Sequence, residues 1–267
     1  MTTIRHACVA GTFYPADPAH LRAEIDACFA QRAPANAPGL AGERIKALIV
    51  PHAGYVYSGP VAASAYASLQ PQADEIRRVV LLGPAHRMPF QGLALSAADA
   101  WQTPLGSVPV ARSACEQLLV FPQVERLDAA FDGEHSLEVQ LPFLQRLLGD
   151  FELIPLLVGA ASAAEVAEVL ESLWGGDETL ILISSDLSHF LDDTSARALD
   201  AQTAAAILRL EPELIGPEQA CGRYPMGGLL RIARMRGLKP EQLDLRNSSQ
   251  TAGSPDRVVG YGAYAFH

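Results

Sequence analysis

A chain of 267 residues with 49% hydrophobic and 19% charged side chains has ordinary globular composition and is too apolar for intrinsic disorder. Twenty Lys and Arg against thirty Asp and Glu leave a net charge of −10. With no segregated basic run, that balance argues against nucleic-acid binding. At roughly 150 residues per domain the length fits one or two folding units, and a unit of this size needs no disulfide or metal staple to fold.

Cys8, Cys28, Cys115 and Cys221 stand far apart with no CxxC pair, which reads as reduced thiols of a cytoplasmic protein. The first three lie in or beside apolar stretches and read as small core residues. Residues 1–11 lack the apolar centre of a signal peptide, and no stretch approaches the ~20 apolar residues of a membrane span.

Along the chain, apolar spacing predicts a helix over 19–32, followed by a linker-like stretch at 33–43 that comes too early to separate two folding units. Strand 45–50 precedes a helix over 59–69, and strand 78–82 precedes a helix over 136–148. Strand 152–158 follows, with Pro155 demoting it toward a sheet edge or bulge. Next come helix 161–174, strand 179–183, helices 195–210 and 226–236, and a glycine-bearing strand at 258–266. Strands alternating with helices predict an α/β fold. The expectation is a single domain over 1–267 with a mainly parallel or mixed central sheet and helices on both faces.

Three histidines fall just past predicted strands. His52 stands in Pro51-His52-Ala53-Gly54-Tyr55, His86 ends Gly83-Pro84-Ala85-His86, and His189 closes Ser184-Ser185-Asp186-Leu187-Ser188-His189. Side chains beyond the carboxyl ends of strands line the crevice where open α/β sheets bind ligands. A lone histidine is more often a surface or capping residue than a ligand, but three at equivalent positions point to a shared site. Glu134-His135-Ser136 and Cys221-Gly222-Arg223-Tyr224-Pro225 are two further polar turns. Glu134 reads equally as a cap for the helix that follows it. Ser184 and Ser185 lack the surroundings of a nucleophile elbow, and no phosphate-cradling glycine loop is present.

Taken together these segments resemble the Memo family, which includes the B component of the AmmeMemoRadiSam system. The resemblance covers nearly the whole chain. It runs from AGTFY at Ala10 through PHAGY, GPAH, WQTPL, EHSLEVQLPFL, SSDLSH and CGRYP to the closing GYGAYAFH. It implies the fold of class III extradiol ring-cleaving dioxygenases (the LigB-like fold), which hold iron with two histidines and a glutamate. The Memo pattern keeps the two histidines, here His52 and His86, and places a cysteine, here Cys221, where the carboxylate would be. By the same resemblance His189, Asp186 and His135 are the expected catalytic residues. Arg223, whose guanidinium suits an anionic group, and Tyr55 are the expected substrate contacts. A thiolate is softer than a carboxylate, so Fe(II) is the expected metal, with Zn(II) or copper also suited.

The function implied is a mononuclear non-haem iron oxidoreductase, dioxygenase-like, acting on a small substrate. Two alternatives stand beside it. One is a non-catalytic module that binds a metal or a peptide, and the other is an accessory component working with an AMMECR1-like protein and a radical SAM enzyme. A phosphopeptide reader calls for clustered Arg or Lys, and the loops near the histidines offer only Arg87 and Arg223.

Overall fold

Residues without polar alternation cannot face water on either side, and three strands here have every residue buried: β2 (Ala47–Val50), β4 (Leu93–Leu95) and β9 (Thr179–Ser184). The computed structural model describes residues 2–33, 40 and 42–267. Before β2 come the short β1 (Ile4–Arg5) and α1 (Pro18–Ala30). Between β2 and β9 lie α2 (Tyr55–Ser68), β3 (Arg78–Pro84), β4 (Leu93–Leu95), β5 (Ala100–Thr103) and β6 (Gly106–Pro109). They are followed by α3 (Arg112–Leu118), β7 (Val124–Arg126), α4 (Leu141–Leu147), β8 (Glu152–Val158) and α5 (Ala163–Ser172). After β9 come β10 (His189–Leu191), α6 (Asp193–Leu208), α7 (Arg223–Arg236), β11 (Pro240–Asn247) and β12 (Val258–Phe266).

The main sheet has the order β10-β12-β2-β9-β3-β8-β4-β7, with β11 on β12. Its centre, β2-β9-β3-β8, is parallel, while β12 on β2 and β4 on β8 run antiparallel. The fold is therefore α/β with a mixed sheet. β1, β5 and β6 form a separate three-stranded sheet. Helices α1, α2 and α4 pack on one another, while α5 packs on α7, which in turn meets β3 and β9. Register places Val50 beside Ser184 and Leu82 beside Ile183, so the loops that follow β2, β9 and β3 leave the sheet at the same end.

Several expectations need correction. β8 is not an edge strand: it pairs with β3 along its whole length and with β4 at Leu156–Val158. Pro155 is tolerated because the pairing with β4 begins only at Leu156 and the other bridge on that side of β8 is at Leu153, so Pro155 faces a gap between them. The helix expected over 136–148 is split into a 3-10 turn at Glu138–Gln140 and α4, with Pro142 in the first turn of α4, where a missing N–H costs nothing. α2 starts at Tyr55, earlier than expected, with Pro60 inside it. Cys28 and Cys115 are buried as expected, but Cys8 is exposed and donates its thiol to Glu138 Oε2 at 3.0 Å. The linker-like stretch lies mostly outside the described residues. Among the described residues, no helix is long and apolar enough to cross a membrane.

α7 reaches α5 through glycine. A Cβ on Gly228 would lie 2.2 Å from Val166 Cγ1 and 3.1 Å from the Ala167 backbone nitrogen. Gly228→Ala gains about 1 kcal/mol of helix propensity but forces the helices apart. The expected net effect is a loss of about 1–3 kcal/mol in urea-unfolding free energy, partly restored by adding Val166→Ala. A variant as stable as the parent would contradict the packing described.

Candidate metal centre

Three of the loops that leave the carboxyl end of the parallel strands are pinned by buried polar groups. The His52 amide donates to Asp186 Oδ1 at 2.7 Å, tying the loop after β2 to the loop after β9. The His86 amide donates to Glu134 Oε2 at 2.6 Å, tying the loop after β3 to the segment before α4. The three rings of His52, His86 and His135 meet at that end. Centroids are 5.2 Å apart for His52 and His86, 5.5 Å for His52 and His135, and 4.9 Å for the stacked His86 and His135. One nitrogen from each lies within 4.8 Å of the others, a group that can hold a metal ion.

The hydrogen bonds set which nitrogen is free. Ser184 has one hydroxyl proton, and it goes to the Ser136 carbonyl at 2.6 Å. Ser184 Oγ therefore accepts from Gln140 Nε2 at 2.7 Å and from His52 Nδ1 at 2.9 Å. That leaves His52 Nε2 unprotonated, with its lone pair turned to the centre. Gln140 is fixed in turn, donating to Pro51 O and accepting from the Tyr66 hydroxyl. His86 Nδ1 donates to Glu134 Oε1 at 3.0 Å, and this likewise frees Nε2. Carboxylate and hydroxyl partners of this kind orient metal-binding imidazoles.

Glu134 is the hub. Burial works against its charge, but the His86 ring hydrogen bond and the amides of Ser136 and His86 outweigh it and hold the carboxyl far below the usual range. Burial, above all, pushes His52 well below an ordinary imidazole. Burial lowers His135 to about 4 against the opposing charge of Glu134. At neutral pH these two rings are uncharged, the form that binds metals.

Cys221 sits at the start of α7 with Sγ 3.3 Å from His52 Nε2 and 3.6 Å from the Asp186 carbonyl. It touches one ring of the histidine group but is not a member of it. Burial, then the charge of Asp186, pushes its thiol up to about 12. Glycine at 222 makes the approach feasible, since a Cβ there would lie 2.5 Å from Ser185 Cβ. His135, given a pocket role by the resemblance, here joins His52 and His86.

The remaining expected residues are dispersed. Asp186 is buried and lines a cavity of about 710 Å³ together with His135. Burial raises its carboxyl, with the His52 amide pulling the other way. His189 is exposed on β10, paired with Val259. Tyr55 corrects the sequence expectation, for it is buried, donates its hydroxyl to Val139 O at 2.7 Å and packs on Phe143. Tyr57, two residues on, lines the cavity instead. Arg223 also turns elsewhere, its guanidinium 3.9 Å from the Tyr224 ring beside a separate cleft of about 530 Å³. Sequence reasoning missed Ser184 and Gln140 as anchors and read Glu134 as a cap. The available signal was a glutamine, Gln140, inside an otherwise apolar run.

The family described as Memo-like protein matches residues 5–265, a span that includes every residue of the histidine group. This chain belongs to the Memo family. A MEMO1 family protein of Methanococcoides burtonii is 36% identical over 274 residues, covering 97% of this chain and 98% of that protein. One from Aquifex aeolicus is 34% identical over 271 residues, covering 97% of each. Among solved structures, an uncharacterized protein of Escherichia coli K12, JW3007, shares the fold at 13% identity with a TM-score of 0.53, covering 84% of this chain and all of that one.

The low value for His135 predicts acid sensitivity in the metal-free protein. Between pH 6.5 and 4 the unfolded chain takes up a proton that the folded ring refuses, so stability falls as pH drops through that window and is fully present above it. His135 alone contributes a loss of about 2 kcal/mol from pH 7 to pH 5. Urea unfolding at the two pH values should show a smaller loss in His135→Gln; an identical loss would contradict the burial argument.

Proposed function

We propose that this Memo-family chain binds one transition-metal ion at His52, His86 and His135 and uses it in oxidative chemistry on a small molecule. The observation that carries the reading is the histidine group itself. Its three ligand nitrogens are mutually close, and for two rings a Ser184 or Glu134 contact leaves Nε2 free. Three neutral imidazoles suit iron, zinc or copper, and three protein ligands leave coordination positions open as a catalytic site requires. Iron is the preferred metal of this reading. When bound, such an ion polarises substrate oxygens and, as iron or copper, exchanges electrons with O₂.

The chain's own groups have distinct tasks. His135, a member of the centre, and Asp186 both line the adjoining cavity, so a bound molecule meets one imidazole and one carboxyl there. Phe13, 4.5 Å from the His135 ring, covers that ring on the cavity side. In this reading His189, exposed beside the cavity-lining Phe190, passes a proton between bound substrate and water.

A second reading gives the third ligand position to Cys221, and the observation favouring it is the 3.3 Å contact between its sulfur and His52 Nε2. In that reading metal uptake displaces the thiol proton.

Elemental analysis of anaerobically purified protein should find close to one iron per chain, and oxygen consumption should follow addition of catechols. His52→Ala should abolish metal uptake. A wild-type chain free of metal, and unable to take up Fe(II), Zn(II) or Co(II), would sink the reading. In the Co(II)-loaded protein a sulfur-to-metal charge-transfer band lost in Cys221→Ala would establish the second reading, and its absence the first. Glu134→Gln, which weakens the hold on His86, should lower metal affinity by about 10–100-fold in chelator competition.

A further inference from the structure

Phe190 departs from ordinary backbone geometry. It has φ +63°, a region that side chains with a bulky Cβ substituent avoid, at a cost of about 1–3 kcal/mol. The strain coincides with a break in register. β10 pairs His189 with Val259 and Leu191 with Val258, so Phe190 is the extra residue of a bulge. Bulges re-aim a side chain, and here the result is a phenyl ring left 60% exposed at the wall of the cavity that holds His135 and Asp186. Strain of this kind, spent to expose an apolar ring, does nothing for the core.

Arg257 lies against that ring, its guanidinium 4.5 Å from the Phe190 centroid, and lines the same cavity. Among the described residues it is the only Lys or Arg in the cavity wall. Among the described residues it has no carboxylate at ion-pair distance, and the adjacent Asp256 accepts from Ser254 instead. Tyr57 and Tyr261 add two more rings to the lining. An aromatic face beside an unpaired planar cation matches a flat molecule with an anionic end. One guanidinium suits a carboxylate monoanion by bidentate pairing, whereas a phosphate dianion calls for several cations.

We propose that Phe190 and Arg257 form a specificity clamp for a planar small molecule bearing a carboxylate. The ring of the molecule packs on the part of Phe190 that Arg257 leaves open and its carboxylate pairs with Arg257, leaving the rest directed to the histidine centre. The inference rests on the cavity serving that centre, but its test does not depend on metal.

Benzoate, benzamide and phenyl phosphate are titrated calorimetrically into the full-length chain, both metal-loaded and chelator-treated. Benzoate should bind at least about 10-fold more tightly than benzamide in both forms, and Arg257→Gln should erase that preference. Phe190→Gly relieves the strained φ and so keeps the fold while removing the ring. It should weaken benzoate and benzamide alike by about 3–10-fold. Metal content should stay at the wild-type level in both variants. Equal affinity for benzoate and benzamide, a preference that survives Arg257→Gln, or no binding of benzoate up to crystal-clear saturation limits of its solubility would overturn the clamp. Tighter binding of phenyl phosphate than of benzoate would overturn the carboxylate assignment. A chain that discriminates benzoate from benzamide yet never holds metal would sink the functional reading and leave the clamp standing.

Discussion

The buried carboxylate of Glu134 is the contact on which the centre depends. It accepts from the His86 ring and from the amides of His86, His135 and Ser136, so one side chain fixes two histidines and the turn between them. An ionised carboxyl at this depth is tolerable only because each of those donors is in place. Removing any one leaves charge uncompensated in the interior, which couples the geometry of the site to the stability of its surroundings. Arg5 extends the arrangement to the N-terminal segment, donating to the Glu134 carbonyl and to the Glu138 carboxylate. Glu138 also receives the amides of Cys8 and Val9 and the Tyr14 hydroxyl, which holds the segment bearing Phe13 over His135.

The fold class was legible because its signal is long and periodic. Apolar runs such as 179–183 can only be strands covered on both faces, and 258–266 matches β12 residue for residue. Short elements escaped, since β4 and β7 have three residues each and offer no period to read. β11 escaped for another reason: its sequence PEQLDLRN is polar because much of it is only half buried beside β12. The split before α4 was hidden too, because spacing does not reveal that Glu138 and Gln140 are needed as buried hydrogen-bonding groups.

Of the site, the strand-end rule located His52, His86 and Asp186, since a parallel sheet delivers the residues after each strand to one rim. The same rule cannot rank His135 against Cys221, which both arrive from other elements and whose place depends on loop geometry. Tyr55 shows the limit of reading a motif as a surface. Within Pro51-His52-Ala53-Gly54-Tyr55 the onset of α2 turns Tyr55 into the core and Tyr57 toward the cavity. Phe190 and Arg257 had no motif at all, and only a bulge and a shared cavity join them.

The strand order has a consequence for biosynthesis. β2 sits between β9 and β12, so the strand that leads into His52 finds its two neighbours only after residues 179–266 have left the ribosome. A nascent chain that has exposed His52, His86 and His135 still lacks the serine that orients the first of them, Ser184. Contacts of such sequence separation close late and slowly. Assembly of the centre is therefore postponed until residues 179–266 have been made, and a chain terminated before them carries the histidines without the scaffold that makes them ligands.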